Sequence, residues 1–359
     1  MDDARRRTLG DAILALDLGK FKSVACRYEP QTAAARFHSF TTCRTELQRL
    51  LDDVQPRVLV IEACALAGWV SDHCGQLGLV CKVANTASEA WKFKHLKRKT
   101  DRDDALRLAQ LEALGQLPTV ALPPHPIREW RALIAARHGL VGRRVAVQNR
   151  LRALLVGQGL PAPRGAKAWT EIGLKGIAQF AQPLPTCAPD DLWRGLLDLA
   201  LTEFRHLMTL IAQMETKLDA LAKTDADVHR LQTIPGVGPR TAEVIVVHLH
   251  DPQRFENDKQ VSAYAGLVPR QFQSGETDHR GRISKRGPAL LRKTLVQCAW
   301  AMLRYNRWAQ AVWQRLTSGG KIRRKQAIVA LARKILVRCW AMLRDGTHWK
   351  EPVTADATA

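Results

Sequence analysis

Four carboxylates and one serine carry the chemistry that this sequence offers. Asp17 closes the apolar run ILALD (13–17), and Glu62 closes RVLVIE (57–62). Asp101 and Asp104 lie in KRKTDRDDA (97–105). On a helix turning about 100° per residue, Asp104 falls about 60° from Asp101, whereas Asp103 lies about 160° away and points elsewhere. Hard divalent cations take oxygen ligands, and two Mg2+ ions about 4 Å apart clamp the attacking and leaving oxygens of a phosphodiester. Each acid also has a plainer reading. Asp17 precedes Gly19 and suits a turn, and Asp101 suits the positive end of a helix dipole. A charge ending a buried strand is costly without a partner, so the set of four reads best as a metal site.

The serine is Ser274, in QFQSGETDHRGRISKRG (271–287). Glycine follows it, which lets another backbone come close. No Asp or Glu occurs between Asp278 and Asp345, so the hydroxyl stands at the mouth of a strongly positive segment. A lone serine is most often a turn residue. His279 is near, but no His/Asp pair completes a hydrolase triad, so activation would fall to a metal ion. Ser262 reads as a helix cap and Ser284 as a phosphate or backbone contact. Upstream, IPGVGPRTA (234–242) has the apolar-Gly-apolar-Gly form of a helix-hairpin-helix. Gly236 and Gly238 permit a tight turn, and the next helix offers N–H groups to a phosphate. A simple helical connector fits the same residues.

The elements that must position these groups can be read from periodicity. Strands are expected at 13–19, 23–29, 35–41, 57–63 and 78–84, and helices at 45–54, 69–76 and 101–114. Three meander strands followed by helix-strand-helix-strand suggest a ribonuclease-H-like α/β layout over 11–115. QLPTVALPPHP (116–126) reads as a linker. A long arginine-rich helix (128–156), a break at 161–169 and a leucine-spaced helix (190–223) fill a helical or coiled-coil region over 116–230. Leu196, Leu199, Leu207, Leu210, Met214, Leu218 and Leu221 mark its apolar spacing. A mainly α domain with the serine loop follows over 231–345, with helices expected at 288–316 and 326–343. Residues 346–359 form a tail.

The chain has 359 residues, 46% of them hydrophobic, and a formal net charge of +21. Its isoelectric point of about 10.1 directs it to a polyanion, most simply nucleic acid. No run reaches the roughly 18 apolar residues of a membrane span, and MDDARRRTLG lacks a signal-peptide core. Eight cysteines form no zinc-like spacing and read as buried reduced thiols of a cytosolic protein.

Asp17, Glu62 and KTDRDDA, followed by IPGVGPRTA, AGLVPRQFQSG and GRISKRGPALLRKTL, resemble the DEDD-type insertion-sequence transposases, the RNA-guided bridge recombinases related to the Piv DNA invertase. The resemblance spans about residues 11–345. It implies a RuvC-like N-terminal domain, a coiled coil and a C-terminal transposase domain. It implies that Asp17, Glu62, Asp101 and Asp104 bind Mg2+ as a pair of ions, and that Ser274 attacks DNA to form a phosphoserine link. It also implies donor and target DNA as partners, a structured non-coding bridge RNA, a dimer or tetramer, and a bacterial cytoplasmic, nucleoid-associated location. Arg270, Arg280, Arg282, Lys285, Arg286 and Arg292 are then expected to hold the strand, with Gly236 and Gly238 in the phosphate-binding turn. Acids and serine would have to meet, within one subunit or between two. A metal-only nuclease of junction-resolvase type, a site-specific invertase and an inactive nucleic-acid-binding protein remain open.

Overall fold

The computed structural model describes residues 10–85, 100–274, 277–318 and 324–351, and gives no side-chain description for 271–280. It divides into two compact units, residues 1–128 and 129–359.

The first unit is a mixed α/β layer structure. β1 (Ile13–Asp17), β2 (Lys22–Glu29), β3 (Ala34–Thr41), β4 (Val58–Glu62) and β5 (Val80–Ala84) form a sheet in the order β3-β2-β1-β4-β5. β1 runs antiparallel to β2 and parallel to β4, which in turn runs parallel to β5. This order is compatible with a RuvC-like, ribonuclease-H-type sheet. Side chains alternate across a strand, so a central strand apolar at every position needs cover on both faces. β1 and β4 have this pattern. Leu14, Leu16, Leu59 and Ile61 join the core that includes Leu47 and Leu51 of α1 (Arg44–Val54) and Val70 and Cys74 of α2 (Ala67–Gln76). Ile13, Ala15, Val58 and Val60 meet Ala105, Leu108 and Ala109 of α3 (Asp101–Ala113) on the opposite face.

Residues 116–122, part of the expected linker, are tied to the sheet. Thr119 bridges Ala84, the Val120 N–H donates to the Val83 carbonyl at 2.8 Å, and Val120 and Leu122 pack on the core. The prolines deny these residues regular sheet bonding without detaching them.

The second unit is mostly helical. α4 (His125–Gly157), α5 (Glu171–Ala178) and α6 (Leu192–Thr224) share a core in which Val147, Leu151 and Leu155 meet Leu197, Leu201, Phe204 and Leu207. The buried face of α6 is thus offset from the leucines read in sequence, because Leu196 and Leu199 are about half exposed. α7 (Ala226–Gln232), α8 (Pro239–Leu249) and α9 (Asp258–Tyr264) lead into a two-stranded hairpin, β6 (Pro269–Ser274) and β7 (Thr277–Ile283). α10 (Ala289–Tyr305), α11 (Arg307–Thr317) and α12 (Arg324–Asp345) follow. The single helix expected over 288–316 is broken at Asn306, whose side chain accepts from the Ala309 N–H at 3.0 Å and caps α11. Trp349 stacks edge-on against Trp308, and its N–H donates to the Thr233 hydroxyl at 3.0 Å. Most of the expected tail, 352–359, lies outside the described residues.

All eight cysteines are free thiols. Cys26, Cys74, Cys298 and Cys339 are buried, and burial pushes Cys26 up to about 11 and Cys298 up to about 12. Cys64 is exposed, so burial is not common to the set. No helix among the described residues is long and apolar enough to cross a membrane.

Candidate active site

Two of the four acids are brought to one edge of the sheet by strand order alone. Leu16 pairs with Ile61 in parallel register, so Asp17 and Glu62 are the next residues of adjacent strands. Both are half-buried, and the Oε1 atom of Glu62 is buried from solvent. Carboxyl ends of neighbouring parallel strands are where open α/β sheets build ligand sites. The turn after β1 is tight. A Cβ on Gly19 would stand 2.2 Å from the Lys22 carbonyl oxygen, while the Gly19 carbonyl accepts from the Thr42 hydroxyl at 2.8 Å.

Asp101 and Asp104 occupy the first turn of α3, with Asp101 exposed and Asp104 half-buried. Asp103 has a separate task. Its carboxylate accepts from the Thr100 hydroxyl at 2.7 Å, and its N–H donates back to that hydroxyl at 3.3 Å, a reciprocal helix cap. Among the described residues no group of three or more His, Cys, Asp or Glu stands close enough to hold a metal ion. The fold therefore pairs Asp17 with Glu62 and does not draw all four acids into a finished cage. The donor chemistry fits a hard divalent cation, since all four are carboxylates and two already share a half-buried strand edge.

Ser274 is the last residue of β6, opposite Thr277 at the far end of the hairpin. Gly275 lies outside the described residues, and the side chains of Ser274, His279 and Arg280 are not described. Arg270, Arg282, Lys285 and Arg286 are exposed around the hairpin. Arg292 is turned inward to its base, where Nη1 donates to the carbonyls of Arg286 and Gly287 at 2.9 Å and of Ala265 at 3.2 Å. Ser284 donates its N–H to the Val268 carbonyl at 2.8 Å, and its hydroxyl is buried with no hydrogen-bond partner among the described residues. Ser262 does not cap a helix. It is fully buried inside α9, whose cap is Asn257.

Two glycines hold the hairpin base, and neither stood out in the sequence. Gly266 and Gly287 have φ of +67° and +79°. A Cβ on Gly266 would lie 2.0 Å from the Arg286 carbonyl oxygen, and one on Gly287 would lie 1.9 Å from the Tyr264 carbonyl oxygen. Both contacts are with backbone, which cannot swing away. Gly287→Ala is therefore expected to cost about 3 kcal/mol through combined strain and overlap. Hydrogen exchange should quicken at the β6–β7 amides while the β1–β5 amides keep their protection.

Gly236 and Gly238 sit in the turn joining α7 to α8. Gly236 has φ +96° and lies against Met302, with 2.9 Å from an added Cβ to Met302 Cγ, and Gly238 caps α8. Just beyond, Arg240 is engaged by carboxylates, contacting Asp219 of α6 and standing 3.0 Å from Glu243. Glu243 is fully buried, and burial pushes its carboxyl up to about 7 against the pull of Arg240, with Asp219 adding to the rise. The folded state holds more protons than the unfolded chain between the ordinary value of 4.5 and about 7, so stability falls as pH rises through that window. Glu243→Gln removes this titration. Denaturant unfolding should find the variant about 3 kcal/mol more stable than the parent at pH 8 and nearly equal to it below pH 5.

Comparison with known proteins covers both regions. Residues 14–158, which include all four acids, match the family model DEDD_Tnp_IS110, described as Transposase. Residues 228–314, which include the α7–α8 turn and the hairpin, match the model described as Transposase IS116/IS110/IS902 family. The chain is 29% identical over 330 residues to a probable family 20 transposase of Pseudomonas aeruginosa, covering 87% of this chain and 93% of that protein. It is also 29% identical over 360 residues to the transposase for insertion sequence element IS1111A of Coxiella burnetii, covering 94% and 92%. A pilin gene-inverting protein of Moraxella bovis is 33% identical over 148 residues, covering 39% of this chain and 45% of that protein.

Proposed function

The chain belongs to the IS110-family DEDD transposases and is a DNA transposase, and from that premise we propose that it cuts and rejoins DNA through Ser274 with Mg2+ held by Asp17, Glu62, Asp101 and Asp104. The pairing of Asp17 and Glu62 at adjacent parallel strand ends carries this reading. The Ser274 oxygen attacks the phosphorus of a scissile phosphodiester and its proton passes to solvent, while the deoxyribose oxygen leaves and takes up a proton from solvent to become a hydroxyl. A deoxyribose hydroxyl then attacks the phosphoserine link and restores both the phosphodiester and the serine. No external energy is needed, because each bond broken is replaced by one of the same kind. A divalent cation bound by the acids would supply Lewis-acid stabilisation of charge on the phosphoryl oxygens. Arg270, Arg280, Arg282, Lys285 and Arg286 hold the strand and offset its charge.

The α7–α8 turn serves as a helix-hairpin-helix that takes a backbone phosphate through Gly236, Gly238 and the start of α8. α4 and α6 serve as the coiled-coil arm of a dimer or tetramer. A structured bridge RNA guides the choice of donor and target. The net charge of +21 and the acid-free stretch from 279 to 344, with 17 Lys and Arg, support a large nucleic-acid load. Labelled donor and target DNA incubated with the chain, its flanking non-coding RNA and Mg2+ tests the reading. Joined products that need all the components support it, and equal joining without RNA removes the guide. The partial likeness to a pilin gene-inverting protein keeps inversion as a second reading. Inversion would turn a segment around within one molecule instead of joining separate donor and target DNAs.

A further inference from the structure

A trough of about 1220 Å³ lies within the second unit, between the β7 end of the hairpin and helices α11 and α12. It exceeds the roughly 300–1,000 Å³ of small-ligand sites. Its floor is apolar, with Leu267, Val312, Val329 and Val337. Arg282 and Lys285 line it from the hairpin side, Arg315 from α11, and Lys325, Arg333, Lys334 and Arg338 from α12. Asp258 is the only acid among the described residues that line it. Like charges are crowded here: burial, then Arg315, Arg333 and Arg338, hold Lys334 below its ordinary value. A fold that gathers seven cations over an apolar floor is built to receive a polyanion.

We infer that this trough seats a single-stranded segment of the DNA that reaches the hairpin, with sugar and base faces on the apolar floor and phosphates against the surrounding cations. A duplex would offer hydrated phosphates to the floor and leave its apolar surface unused. A lone strand can satisfy floor and rim together, as single-strand binding grooves do. The hairpin whose base forms one wall carries Ser274 at its far end, so a strand lying in the trough can run along the hairpin toward the serine, which argues for the DNA strand and against a separate RNA. The inference rests on the reading of Ser274 as the DNA nucleophile, and it implies that the DNA is unpaired beside the hairpin.

The test uses the full chain carrying Arg315→Gln and Lys325→Gln, both exposed in the parent. Its binding to a fluorescent DNA oligonucleotide is followed by anisotropy across a salt series. Ser274→Ala protein and a charge-matched Arg36→Gln/Arg57→Gln protein serve as controls, and thermal melting checks that each is folded. The trough variant should bind single-stranded DNA about tenfold more weakly at 0.1 M salt, and its log–log salt slope should shrink by about 1.4, or 0.7 for each lost phosphate contact. The Arg36/Arg57 control should bind like the parent, and Ser274→Ala serves only to report on cutting. An unchanged slope in the trough variant overturns the inference. So does a loss seen only with duplex DNA, only with RNA of the same sequence, or equally in the Arg36/Arg57 control. Failure of the nucleophile reading looks different, because Ser274→Ala would then cut DNA normally while trough-dependent binding persisted.

Discussion

Ser274→Ala is expected to abolish DNA strand exchange, with cleavage falling at least about 10³-fold, the usual scale when a covalent nucleophile is lost. The variant should keep its DNA affinity and melting temperature. Ser274 ends β6 at the tip of the hairpin, opposite Thr277 and remote from the hairpin base that Gly266, Gly287 and Arg292 hold. Time courses on denaturing gels would follow strand cutting, and adduct would be read as label retained on protein after denaturation. Normal cutting without adduct would instead favour a metal-only nuclease in which water attacks.

Asp17→Ala and Glu62→Gln are expected to be the other severe losses, also about 10³-fold or more, because charge on the reacting phosphoryl oxygens would lose its stabilisation. The structural cost should be small for Glu62→Gln, which keeps the shape of a half-buried strand end. Removing Mg2+ with a chelator should reproduce the loss in the parent, and adding it back should restore activity in the parent but not in Asp17→Ala. Asp103→Asn gives the internal comparison. It sits two residues from Asp101 but faces Thr100 as a helix cap, so its effect should be on stability, not on cutting. Equal losses for Asp103→Asn and Asp101→Asn would mean that the first turn of α3 matters as a whole.

Much of the first unit is legible in the sequence because its signals are local. Continuous apolar runs at 13–16 and 58–61 suit strands covered on both faces, and each run ends on an acid, while the parallel pairing of β1 with β4 sets Asp17 beside Glu62. The TDRD spacing likewise separates Asp103 from its neighbours. The second unit is less transparent where the deciding contacts join distant residues. Apolar spacing runs unbroken through Asn306, so the break there is a capping event that periodicity does not register. The face of α6 is chosen by α4, and that choice favours Leu197 and Leu201 over Leu196 and Leu199. Gly266 and Gly287 are 21 residues apart, and each becomes necessary only because a distant backbone crosses it. Arg292 reads in sequence as one more cation in a basic run, whereas its three carbonyl partners fix it at the hairpin base. The signal available for both glycines is their position at the two ends of the β6–β7 segment, in AGLVPR and SKRGP.

Whether a serine of the hairpin is joined to DNA can be measured without reference to turnover. Protein trapped with a cleaved DNA substrate would be digested with nuclease and protease and the peptides sequenced by mass spectrometry. A nucleotide remnant on the Ser274 oxygen, formed in the parent with Mg2+ and missing from Asp17→Ala, is expected. Cut DNA with every Ser274 peptide unmodified, and with oxygen from labelled water incorporated at the new phosphate ends, would contradict it.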